Sequence, residues 1–300
     1  MWPMDRHGGS VVHWSTHGRW VASMLLVAGA MGGRAVAQGT PTAGASSGAA
    51  SGAASGAASG AADSTAGPET AAGAITAGDR EHTAMNAAAA LADYEHAIAL
   101  DSSKYEALCK AAREAVDLGE FEPDAKVRQG RFATALRYAR RAVAVNPAGA
   151  EGHFHVARAL GRAALAVGGK RRIQYAKEIR AEALAALAAD SAHPGALHVM
   201  GLWNAEVMRL SGIERFIARN LLGGGILGTA SWKEAVRYME AAVAHDPERI
   251  IHHLDLGKIY ADIGQTAKAR EQFQMVVDTP AAEYNDSHYK QDAERRLARR

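Results

Sequence analysis

The sequence predicts an all-α fold, a right-handed superhelix of antiparallel helix pairs with elongated helices, insertions and a C-terminal capping helix. Three observations predict it. From Asn86 onward Ala, Leu, Arg and Glu are abundant and apolar residues recur at spacings of three and four, the periodicity of amphipathic helices. Alternating runs of strand-forming residues are nearly absent from the same stretch. The pattern also repeats, though irregularly, as units of the roughly 34-residue helix-pair type lengthened by extra segments.

The chain before Asn86 reads differently. Arg6 and Arg19 precede an apolar run from Trp20 to Gly33, and Ala35-Val36-Ala37 follows as a small-x-small cleavage site. Residues 1–37 therefore read as a secretory signal peptide, with the mature chain beginning at Gln38. The apolar run is shorter than the roughly 20 residues of a comfortable transmembrane helix; the alternative is an uncleaved N-terminal anchor. Residues 38–85 are mostly Gly, Ala, Ser and Thr. They lack the large apolar side chains that offset the entropy of ordering, and are expected to be a disordered linker. The helical domain is then expected at 86–300, exported to the periplasm or cell envelope, with no transmembrane span after signal cleavage.

Within the domain the elements follow in order. Ala90 to Asp101 reads as the second helix of a pair. Ala111-Ala112 marks the close contact of the next first helix, and Ala135, Ala142 and Pro147 mark a second helix with its terminal proline. Met200-Gly201 and then Ala235, Ala242 and Pro247 repeat these roles. Ser231-Trp232-Lys233-Glu234 is a capping box that opens a helix through His245. The clearest unit runs from Ile250 to Pro280. There Leu256-Gly257, Tyr260, Ala269 and Phe273 stand at the spacing of a tetratricopeptide repeat, and Gly264 suits the turn between its helices. Extra segments at Phe121 to Arg131, around Gly168 to Arg172 and at Ser211 to Ala230 lengthen or interrupt the pairs. An amphipathic helix from Glu283 to Arg300 is expected to cap the stack.

Residues 194–280 carry a more specific resemblance. His198, Gly201 and (one place early) Trp203 open the segment, an inserted helix spans Gly212 to Gly223, a new helix starts at Ser231, and Leu256 to Tyr260 reads Leu-Gly-Lys-x-Tyr. In these features the chain resembles the tetratricopeptide domain of the regulator of microtubule dynamics family. The resemblance implies the fold and a non-enzymatic role. Eukaryotic members are linked to microtubules and organelle contacts, but an exported chain with a Gly/Ala tether departs from that context, and microtubule binding is not carried over.

Several classes of chemistry are not expected. A net charge of +2 over 300 residues gives no reason for a nucleic-acid partner. Cys109 is the only cysteine, so no intramolecular disulfide forms, and it reads as a packing residue. Gly223 to Gly228 satisfies G-x-G-x-x-G, but follows an amphipathic helix rather than the strand a dinucleotide site needs. His153 and His155, two apart, diverge on a helix, as do the adjacent His252 and His253. Neither paired cysteines nor H-E-x-x-H occur. No metal, no cofactor and no enzymatic activity are expected.

The expected function lies in the concave groove, which the first helix of each pair lines. The residues projected there are Glu106, Arg113 and Asp117, then Phe154, Arg158 and Arg162, then His198 and Glu206, and last Lys258 and Asp262. Guanidiniums beside an aromatic suit an acidic peptide, so the chain is expected to be a scaffold for a protein or peptide partner. The alternative is a lipid or apolar-ligand binding module. An open polar groove favours the first and a continuous apolar pocket the second. In SGIERFIARNLL, Ile213, Phe216, Ile217 and Leu221 form one apolar stripe. It either packs on neighbouring helices or makes a lip that touches a lipid or partner helix.

Overall fold

The computed structural model describes residues 70–220 and 223–299. The expected signal peptide, residues 38–69 of the expected linker and Leu221 of the apolar stripe lie outside the described residues. Twelve α-helices stack there as a tetratricopeptide-like superhelix. No helix among the described residues is long and apolar enough to cross a membrane.

The fold begins earlier than Asn86. Helix α1, Ala71–Thr83, opens on Thr70, whose hydroxyl accepts a hydrogen bond from the Gly73 amide at 3.1 Å. It packs antiparallel on α2, Ala87–Leu100. The expected linker is therefore corrected over residues 71–85. Composition hid this helix because it buries only Ala74, Ile75 and Gly78. Its partner supplies the bulk instead. The ring of Tyr94 is fully buried over Gly78, where a Cβ would come within 2.5 Å of it, and the Tyr94 hydroxyl donates to Asp79 at 2.7 Å.

Four further pairs follow. Helices α3 (Tyr105–Glu120) and α4 (Ala125–Val145) form the second. The third joins α5 (Ala150–Ala163) to α6 (Gly169–Ala189) through a short turn at Ala164–Ala166. The fourth joins α7 (Pro194–Arg209) to α9 (Trp232–His245). Between them lie α8 (Gly212–Asn220) and a turn of 3-10 helix at Gly225–Thr229. The fifth pair is α10 (Ile250–Asp262) and α11 (Thr266–Asp278), joined at Gly264 with φ of 76°. Helix α12 (Asp286–Leu297) ends the stack. The extra segments thus become longer second helices in α4 and α6, and an inserted helix after α7.

Close approach between helices follows from small residues at the contact lines. Ala112, Ala142, Ala159, Ala183, Ala205 and Ala242 are all completely buried. At Gly257 the ring of Phe273 occupies the space a side chain would need, 2.5 Å from a Cβ there. The capping box at Ser231 is only half formed. The Ser231 hydroxyl accepts from the Glu234 amide at 3.1 Å, but the Ser231 amide donates to Asn204 at 3.2 Å, and the Glu234 carboxylate pairs with Arg237. A buried asparagine on the facing helix outcompeted the local partner.

The C-terminal segment returns to the front of the stack. The Asp286 carboxylate accepts from the amides of Ala282 and Glu283 at 2.9 and 2.8 Å, which fixes the turn into α12. The Asn285 amide then donates to the Asp117 carbonyl on α3 at 3.0 Å. Phe121, just past α3, stacks on His288 at 4.1 Å and meets Tyr289 edge-on at 5.7 Å. Helices distant in sequence are thereby tied across the concave face.

Candidate functional site

The C-terminal return turns the concave groove into a partly enclosed cavity of about 670 Å³. Its walls come from the inner faces of the first helices, where residues three and four apart share one side. Helix α3 contributes Glu106, Arg113 and Asp117, α5 contributes Phe154, Arg158 and Arg162, and α7 contributes His198, Leu202 and Glu206. Eight of the ten residues projected from sequence thus line one cavity. Lys258 and Asp262 do not. Lys258 is buried between Asp255 at 3.0 Å and Asp292 at 3.4 Å, and Asp262 pairs with Arg209 at 2.5 Å.

The projected charges are engaged with one another. Arg158 contacts Asp117 at 2.5 Å, Arg162 contacts Glu120 at 2.5 Å, and Arg113 holds the buried Glu114 at 2.8 Å. Arg209 bonds Glu206, and Arg249 bonds Glu283. Burial opposes ionisation of Asp117, but the Arg158 guanidinium outweighs it and holds the carboxyl below the usual carboxylate range. Burial likewise works against Asp255, yet Lys258 and His198 (2.9 Å away) keep it ionised. The open polar groove with exposed Arg158 and Arg162 is therefore not what the fold provides. Each of these two guanidiniums already has a carboxylate.

Two parts of the cavity differ in character. At the N-terminal ends of α5, α7 and α10 stand Glu151, His155, His193 and His252. Close contacts from His155 and His193, at 3.3 and 3.2 Å, hold the Glu151 carboxyl far below its ordinary range. Burial pushes His252 well below the usual imidazole value, so it is neutral. The Nδ1 atoms of His155 and His252 are buried without a hydrogen-bond partner among the described residues. The other part is apolar, formed by Ile173, Ile179, Trp203, Val207, Leu210 and Leu227. Trp203 is fixed by its indole N–H, which donates to the Ala176 carbonyl at 2.8 Å. Cys109 also lines the cavity, but burial pushes its thiol up to about 12, so it stays a protonated wall residue.

Sequence reasoning missed the second-helix, inserted-turn and C-terminal contributions. Ile173, Leu227, Asn285 and Tyr289 all line the cavity, although none belongs to a first helix. Only Trp203 carried a sequence signal, as part of the resemblance. The stripe on α8 is also settled in part: Ile213 is 71% exposed and Phe216 62%, while Ile217 is half-buried. Packing on neighbouring helices is therefore corrected for Ile213 and Phe216, because α8 turns its opposite face, with the fully buried Ala218, toward the core. The 3-10 turn after α8 overlaps the G-x-G-x-x-G stretch, whose Leu227 enters the core.

Residues 74–299 match the model of the regulator of microtubule dynamics protein 1-3 family. Among solved structures, the chain is similar to a thermophilic tetratricopeptide-repeat protein of Thermus thermophilus. The two share 16% identity and a TM-score of 0.53, over 75% of this chain and 99% of that one. It is also similar to MamA of Desulfovibrio magneticus, at 16% identity and a TM-score of 0.39, over 68% and 91% of the two chains. No curated protein matches.

Proposed function

Since the chain belongs to the regulator of microtubule dynamics protein 1-3 family, we propose that it is a non-enzymatic binding scaffold whose cavity takes the apolar portion of an amphipathic ligand such as a lipid. The observation that carries this reading is the closure of the groove by α12. A superhelix that holds an extended peptide needs a continuous channel, whereas here Asn285 and Tyr289 cross it and leave about 670 Å³. That volume lies in the usual range for small-molecule pockets. The apolar wall suits a hydrocarbon, and the unpartnered imidazole nitrogens of His155 and His252 suit a polar head.

A protein partner is the second reading, supported by the exposed carboxylates of Glu106 and Glu151 among the lining residues. A peptide terminus or a single anchoring side chain fits such an opening. Native mass spectrometry of the purified chain, with a fluorescent fatty-acid analogue as added probe, separates the readings. The expected result is a bound apolar molecule, and Val199→Trp, which adds an indole to the half-buried cavity wall, weakens probe binding by roughly tenfold while the helical signal is unchanged. A chain that carries no such molecule and takes up no probe, yet retains a protein partner, sinks the lipid reading.

Export is a separate proposal and rests on residues 1–37: a charged start, a short apolar run and Ala35-Val36-Ala37. Sequencing the N-terminus of the mature protein tests it. The expected first residue is Gln38, and a chain that retains Trp20 to Gly33 supports the anchored alternative.

A further inference from the structure

Helix α8 follows directly on the apolar part of the cavity. Leu210 precedes it, and the 3-10 turn that carries Leu227 follows it; both leucines line the wall. Yet α8 turns Ile213 and Phe216 to solvent. Two large apolar side chains on one short helix, both more than half exposed, are a surface that a soluble fold ordinarily avoids.

The surroundings of α8 select a partner. Trp203 of α7 bonds Ala176 of α6, and the two helices run antiparallel, so the C-terminal end of α7 lies at the N-terminal end of α6. The start of α8 is thus directed toward the end of α6 that carries Lys170 and Arg171, both exposed, with Leu165, 41% exposed, just before it. Gly223, past the end of α8, lies close to the Lys177 ammonium. Arg215 of α8 touches the Met208 sulfur, at 3.2 Å. None of Lys170, Arg171, Lys177 and Arg215 has a carboxylate partner among the described residues. The carboxylates on these helices are engaged elsewhere. Glu178 pairs with Arg140, Glu182 with His153 and Glu206 with Arg209, and Glu214 accepts from the Ser211 amide at 2.8 Å. The edge is thus apolar at its tip and unbalanced toward positive charge behind it. That is the distribution of an interfacial helix on an acidic membrane, where the apolar face enters the headgroup boundary and each cation gains from the surface potential.

We propose that α8, together with the N-terminal half of α6, is a docking surface for an anionic lipid bilayer. Ile213 and Phe216 insert, and Lys170, Arg171, Lys177 and Arg215 face the headgroups. Docking by this edge sets the apolar part of the cavity next to the membrane. The proposal does not depend on what the cavity holds.

Co-sedimentation of the full chain with phosphatidylcholine vesicles, with and without phosphatidylserine, tests it. Wild-type protein is expected to partition onto the anionic vesicles, less strongly as salt rises. Ile213→Ser with Phe216→Ser is expected to lower the partition coefficient by roughly tenfold or more. Lys170→Glu with Arg171→Glu is expected to remove most of the preference for anionic over zwitterionic vesicles. All four side chains are solvent-exposed, so a melting curve matching wild type shows that the fold is intact. Residues 1–69 are present in every variant and cancel in the comparison. Equal partitioning of wild type and the double serine variant overturns the proposal, as does equal binding to both kinds of vesicle. Fatty-acid probe binding that persists in the serine variant leaves the cavity reading standing, which keeps the two tests separate.

Discussion

Arg158→Met is expected to lower the unfolding free energy by about 3–5 kcal/mol, because it strands the buried Asp117 carboxylate without its guanidinium. The pair sits 2.5 Å apart between α3 and α5, with both side chains mostly shielded from water. Among the described residues Arg158 is the side chain that hydrogen-bonds this carboxylate, while the Asp117 carbonyl receives Asn285. A second variant fixes the interpretation. Arg158→Met combined with Asp117→Leu removes both charges, and is expected to recover most of the loss. Chemical denaturation midpoints measure both. If Arg158 were a free group held ready for a ligand, its replacement would shift stability by no more than about 0.5 kcal/mol. That outcome would restore the acidic-peptide reading of the groove.

The second large effect concerns closure. Tyr289→Ala is expected to cost about 3–5 kcal/mol, the usual range for removing a buried aromatic ring. Tyr289 is buried on α12 and meets Phe121 at 5.7 Å. The same change removes part of the cavity wall, so a bound fatty-acid probe should leave faster than from wild type. Phe121→Ala is expected to couple to it, with an interaction energy of about 0.5–3 kcal/mol in a double-mutant cycle. Strictly additive losses would mean that the two rings do not hold the C-terminal segment together. An unchanged dissociation rate would mean that α12 does not gate the cavity. Stopped-flow release of the probe reads the second quantity directly.

Much of the architecture was legible from residue pattern because helices are local. Apolar residues three and four apart define a buried face without knowledge of any partner, and small residues such as Gly201 and Gly257 mark where a second helix must come close. Eight of the ten groove residues could be placed because the tetratricopeptide pattern assigns which positions of a first helix face the groove, and this chain's first helices keep that register. The two failures, Lys258 and Asp262, lie on α10. There the return of α12 brings Asp292 to Lys258, and Arg209 reaches across to Asp262. Helix α1 was missed because its burial is supplied by Tyr94 of the next helix, while its own residues are small.

The sequence by itself determined the all-α class and the helix-pair repeats through the spacing of its residues, and the inserted helix and the inward faces of α3, α5 and α7 through its likeness to the tetratricopeptide pattern. Only the tertiary structure decided that the groove is partly enclosed, that the guanidiniums projected into it are spent on carboxylates, and that Ile213 and Phe216 face solvent. Those properties depend on contacts between residues far apart in the chain, such as Asn285 with Asp117. Periodicity ranks faces by polarity, but it cannot say which distant charge or ring arrives to meet them.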